Sequence, residues 1–114
     1  MVVSAGNTGI DAALRSPAGA KRAFTVGAIE LNTDKRPDWS NFGGVVNVYA
    51  PGTGITSAGI GEDDYTYMDG TSHSAPHVAG QSFIIRQSTS MPLIFYSLYR
   101  YFCYRHECGS WRSE

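Results

Sequence analysis

No stretch of this 114-residue sequence approaches the roughly 20 consecutive apolar residues that span a bilayer as a helix. The opening residues, MVVSAGNTG, lack the basic start and apolar run of a secretory signal. Charge of one sign is lacking too. Nine Lys and Arg against ten Asp and Glu leave a net charge of -1, which gives no electrostatic ground for nucleic acid or an anionic membrane as partner. Cysteine is scarce: Cys103 and Cys108 are the only two, both near the end, too local to staple the body of the chain or to identify a compartment. The length leaves room for one domain at most, with a modest core.

What is present is glycine, and it is unevenly placed. Twelve of the thirteen glycines fall in residues 1–80, between short apolar runs. MVVSAGN, AFTVGAIE and VVNVYAPG each read as a short buried strand ended by Gly, Asn or Pro. From Gly70 to about Arg86 the period changes, and Ala75, Val78, Ala79, Ser82 and Phe83 share a helical face. Pro76 lies early enough in that helix to be accommodated. The Ser/Thr cluster and Pro92 then end the pattern, and the aromatic-rich remainder is different in kind. The expected organisation is a partial domain over residues 1–87 and an unrelated, poorly ordered tail over 88–114.

Within DGTSHSAPHVAG, Ser72 stands between a Gly-Thr turn and the start of the helix. A serine there is either an N-cap or a nucleophile, and Asn7 after Ala5-Gly6 is either a turn residue or a polar donor at a strand end. A nucleophile needs a base and oxyanion donors, so the choice depends on the rest of the chain.

The run GTSHSAPHVAG resembles the nucleophile motif of the subtilisin-like serine proteases (peptidase S8 type), and VVSAGN resembles that family's oxyanion segment. SPAGAKRAFTVGAIE and WSNFGGVVNVYAPGT follow in the family's order, most like its proteinase K-like members. The resemblance covers residues 1 to about 86 and only the last part of the family's catalytic domain. It implies an α/β fold with a parallel sheet and a central helix following the nucleophile serine. By the same resemblance Ser72 is the nucleophile, with its own N–H as one oxyanion donor and the Asn7 amide as the other. The resemblance also implies that Ser4, Ala5 and Gly6 form one small-residue wall of a peptide-binding pocket.

The family's general base lies in a motif like His-Gly-Thr-His and its orienting aspartate in one like Asp-Ser-Gly or Asp-Thr-Gly, both upstream of the oxyanion segment. Neither motif is present, as if truncation before Met1 had removed them. Local substitutes do not suggest themselves. His73 is adjacent to Ser72 and is expected to face away, and His77 lies about 140° round the helix from Ser72. His77 matches a family position that reads as a structural histidine, while His73 and Ser74 stand where the family has Met and Ala. Asp69 reads as a strand-end or turn carboxylate.

Metals and cofactors are not expected. The His73 and His77 pair lacks the Glu of H-E-x-x-H and any third ligand, and Cys103, His106 and Cys108 lack a fourth. Some family members bind calcium through carbonyls near GAKRA and an aspartate; this chain has Asn47 at that position, a poorer ligand for a hard cation. In the tail, PLIFYSLYRYFCY does not separate its arginines and aromatics by face as an interfacial helix would. A retained intron or shifted frame would explain its foreign character. The expected function is therefore that of a fragment of a serine endopeptidase, acting on peptide or protein and inactive alone. The alternatives are a noncatalytic peptide-binding fragment and one half of a protease completed by a chain supplying His and Asp.

Overall fold

The computed structural model describes residues 1–61 and 64–88. Residues 89–114 of the expected tail, with Cys103, His106 and Cys108, lie outside the described residues. Three strands, β1 (Val2–Ser4), β2 (Phe24–Ile29) and β3 (Val46–Pro51), form a parallel sheet in the order β1-β2-β3. An 18-residue helix, α1 (Thr71–Ser88), packs across all three strands. This is the expected α/β arrangement of parallel strands and one long helix.

The central strand explains itself. Thr25 through Ile29 are all buried, as a parallel strand covered on both faces requires, and β-branched residues and alanine fill the space. On one face Val26, Val48 and Ala50 gather Val2, Phe24, Ala75 and Val78; on the other, Ala5, Ala12 and Ala18 gather Val45 and Val46. Gly27 has no side chain because the Tyr49 ring occupies the space a Cβ would need. The register shifts between Thr25 and Val26, so that Thr25 pairs with Val46 and Val26 with Val48. Asn47 fills the irregularity: its side-chain carbonyl accepts the Thr25 N–H at 2.7 Å, replacing a bond of the ladder.

Two features differ from the sequence expectation. An antiparallel hairpin, β4 (Ile55–Ala58) paired with β5 (Tyr65–Met68), adds to the strands that the sequence predicts. Most of its residues are exposed on both faces, so it carries no apolar alternation to read. The helical face is also narrower than predicted. Ala75 and Val78 pack on the sheet, whereas Ala79 and Phe83 are exposed, Phe83 at 64%. Pro76 is the sixth residue of α1 and lies inside it, where it removes the usual bond to the Ser72 carbonyl without ending the helix.

Candidate active site

The C-terminal end of β1 runs into a loop that carries Asn7, and the N-terminus of α1 carries Thr71 and Ser72. The two meet through Thr71, which is fully buried. Its hydroxyl accepts the Gly6 N–H at 3.1 Å and donates to the Asn7 side-chain carbonyl at 2.7 Å. The Thr71 N–H donates to the same carbonyl at 2.9 Å. A helix N-terminus has free N–H groups, and the first of them is used here to hold an amide oxygen.

With its oxygen turned to Thr71, the Asn7 amide presents its NH2 elsewhere. Gly70 has no side chain, and the position a Cβ would take there lies 3.3 Å from Asn7 Nδ2 and 3.8 Å from the Ser72 nitrogen. Two N–H groups from segments far apart in sequence thus border one small space beside an exposed serine. Such a pair, at the positive end of a helix, is chemically suited to an oxygen that gains negative charge.

The loop is held from the other side by Asn41, which is also fully buried. Its Nδ2 donates to the Ala5 carbonyl at 2.8 Å. Its Oδ1 accepts from Thr8 N at 3.0 Å, Thr8 Oγ1 at 3.1 Å and Ile10 N at 3.1 Å. Its backbone N–H donates to the Gly6 carbonyl at 2.9 Å. Gly6 adopts φ +102, a left-handed conformation, and a Cβ on it would come within 2.5 Å of Asn41 Nδ2, so glycine is required twice over. Sequence reasoning gave Thr71 and Asn41 no role. Both stand inside recognisable motifs, GTS and WSNFGG, but their partners are distant in the chain.

The remaining candidates are placed as follows. Ser4 and Gly6 are half-buried, while Ala5 is fully buried against Ala12 and Ala18 and presents no surface of its own. The His73 ring leans over the turn that precedes α1. Its Cδ2 lies 3.8 Å from the Cβ position over Gly70, because helical side chains lean toward the N-terminus and cover the preceding turn. His77 is exposed and its Nδ1 lies 2.7 Å from the His73 carbonyl, a bond in the tautomer that carries the proton on Nδ1. Asp69 accepts the Gly54 N–H at 2.6 Å, joining the two ends of the hairpin. Among the described residues, no histidine or carboxylate hydrogen-bonds to Ser72. The Ser74 hydroxyl is buried with no hydrogen-bond partner.

Asn47 does not fit a calcium ion. Its one carbonyl oxygen is engaged by the Thr25 N–H, and its other terminal group is an NH2 donor. Among the described residues, no group of three His, Cys, Asp or Glu is placed to hold a metal.

A parallel sheet whose first strand end meets a serine-bearing helix N-terminus defines an α/β protein with an exposed serine beside the Asn7 amide. The family model described as the Subtilase family matches residues 1–91, and the chain belongs to that family of subtilisin-like serine proteases. It is 52% identical over 81 residues to Subtilisin-like protease 2 of Pseudogymnoascus destructans, covering 70% of this chain and 20% of that protein. It is 52% identical over 79 residues to Cerevisin of Saccharomyces cerevisiae, covering 68% of this chain and 12% of that protein. The crystal structure of a cold adapted subtilisin-like serine proteinase superposes with a TM-score of 0.68 at 38% identity, covering 75% of this chain and 31% of that one. The chain thus spans about a fifth or less of the length of these two relatives.

Proposed function

We propose that these residues are the nucleophile and oxyanion part of a serine endopeptidase site. Ser72 Oγ attacks the peptide carbonyl, its proton passes to a base, and the carbonyl oxygen becomes an oxyanion between the Ser72 N–H and Asn7 Nδ2. The C–N bond then breaks, the amine leaves with the proton, and water releases the acid from Ser72. The substrate is a peptide or protein lying along Ser4 and Gly6. The base and its orienting aspartate come from sequence outside these 114 residues, in the same polypeptide or in another chain. The observation that carries this reading is the convergence of Asn7 Nδ2 and the Ser72 nitrogen on the space over Gly70.

The test is hydrolysis of a chromogenic peptide by the 114-residue chain alone and mixed with the upstream part of a relative's catalytic domain, each beside a Ser72→Ala control. No turnover alone and Ser72-dependent turnover in the mixture are expected. Turnover by the chain alone that vanishes in Ser72→Ala would mean that a local residue acts as base. Peptide binding without turnover in any mixture would favour a noncatalytic groove instead.

A further inference from the structure

We infer that Asn41 is the positioning residue for Asn7, setting where the Asn7 amide stands relative to Ser72. Its importance for catalysis rests on the reading of Asn7 as an oxyanion donor; its action on the loop does not. Asn41 reaches both flanks of Asn7. On the N-terminal side it binds the carbonyls of Ala5 and Gly6, and on the C-terminal side the N–H groups of Thr8 and Ile10 and the Thr8 hydroxyl. Residue 7 is the one position between those flanks, so the clamp fixes its backbone while Thr71 fixes its side-chain oxygen.

The side-chain bonds of Asn41 are concentrated on one loop, each going to residue 5, 8 or 10. No aliphatic residue can supply one donor and three accepted bonds from a single planar group, and the partly buried N–H groups of Thr8 and Ile10 would lose these partners. The loop also makes two backbone bonds to the same segment, Gly9 N to the Trp39 carbonyl at 2.9 Å and Phe42 N to the Ile10 carbonyl at 3.1 Å. These keep the loop near its place when the side chain is changed, so the effect of Asn41 on Asn7 can be separated from folding.

The experiment uses the full chain labelled with 15N at asparagine. There are four asparagines, 7, 32, 41 and 47, hence few side-chain amide signals, and Asn47 on β3 reports the sheet independently. Asn41→Leu removes every side-chain bond at similar size; Asn41→Asp keeps the acceptors and loses the donor to Ala5. In both, the Asn7 amide pair is expected to shift and to relax as a more mobile group, though still tied to Thr71, while the Asn47 pair stays. If Asn41→Leu does not fold, Asn41→Asp decides. An Asn7 pair unmoved in Asn41→Asp, Asn7 and Asn47 signals lost together in both variants, or an Asn7 pair already free in the wild type would each overturn the proposal. Because no step needs turnover, failure of the protease reading leaves this result standing.

Discussion

The side-chain carbonyl of Asn7 accepts two hydrogen bonds from one residue, Thr71, through its N–H at 2.9 Å and its hydroxyl at 2.7 Å. This fixes which end of the amide faces the helix and leaves the NH2 end for the space beside Ser72. An amide held in this way needs no reorganisation when charge develops, which is the condition for favouring a transition state over bound substrate. In a preparation that hydrolyses peptide through Ser72, Asn7→Ala should therefore lower kcat with KM nearly unchanged. The expected loss is about 10²- to 10³-fold, a range measured for such a donor in a subtilisin itself and borrowed from there. A raised KM with kcat intact would make Asn7 a ground-state binding residue.

Thr71→Val keeps the backbone bond to Asn7 but removes the hydroxyl that links Gly6 to it. The Gly6 N–H then faces a methyl group, and a polar group left unpaired costs about 1–3 kcal/mol where water cannot reach it. Urea unfolding should show a lower midpoint with an unchanged slope. An unchanged midpoint would mean that water replaces the hydroxyl at this partly buried position.

Ser74 presents the opposite case. It is fully buried on the sheet side of α1, its hydroxyl has no partner, and it lies against Gly52, where even a Cβ would overlap it. Ser74→Ala removes an unsatisfied hydroxyl and relieves no bond, so the variant should be more stable by about 1 kcal/mol. A lower urea midpoint for Ser74→Ala would show that the hydroxyl is in fact bonded, for instance to a buried water.

The parts of this molecule that were legible in the sequence are those with local causes. β2 reads as a strand because a run of buried β-branched and small residues can fill a covered sheet and little else. Ser72 and Asn7 stand in recognisable local contexts. What brings them together is not local: Thr71 and Asn7 are separated by 64 positions, and Asn41 bonds residues 31 to 36 positions away. An asparagine in SNFGG reads as a turn residue, since nothing nearby shows that its amide is surrounded by a distant loop. The hairpin is illegible in the sequence for the converse reason, because its largely exposed residues leave no pattern for burial to impose.

Tyr49 provides a pH-dependent test of packing in the sheet. Its ring fills the space over Gly27, and burial raises its pKa from 10.0, with the positive charge of Arg36 opposing the rise. A phenol whose pKa is higher in the folded chain holds its proton more tightly when folded. Its contribution to stability is fully present below the unfolded value of 10.0 and is lost as pH climbs through the folded value, because the unfolded chain ionises first. Thermal unfolding measured from pH 8 to pH 11.5 should show the wild type losing stability above about pH 10 more steeply than Tyr49→Phe, which keeps the ring but cannot ionise. Every other tyrosine and lysine titrates in both proteins, so the difference between the two curves isolates residue 49. Parallel curves would mean that the Tyr49 hydroxyl is as well solvated in the folded chain as in the unfolded one, and that burial of this group does not favour its protonated form.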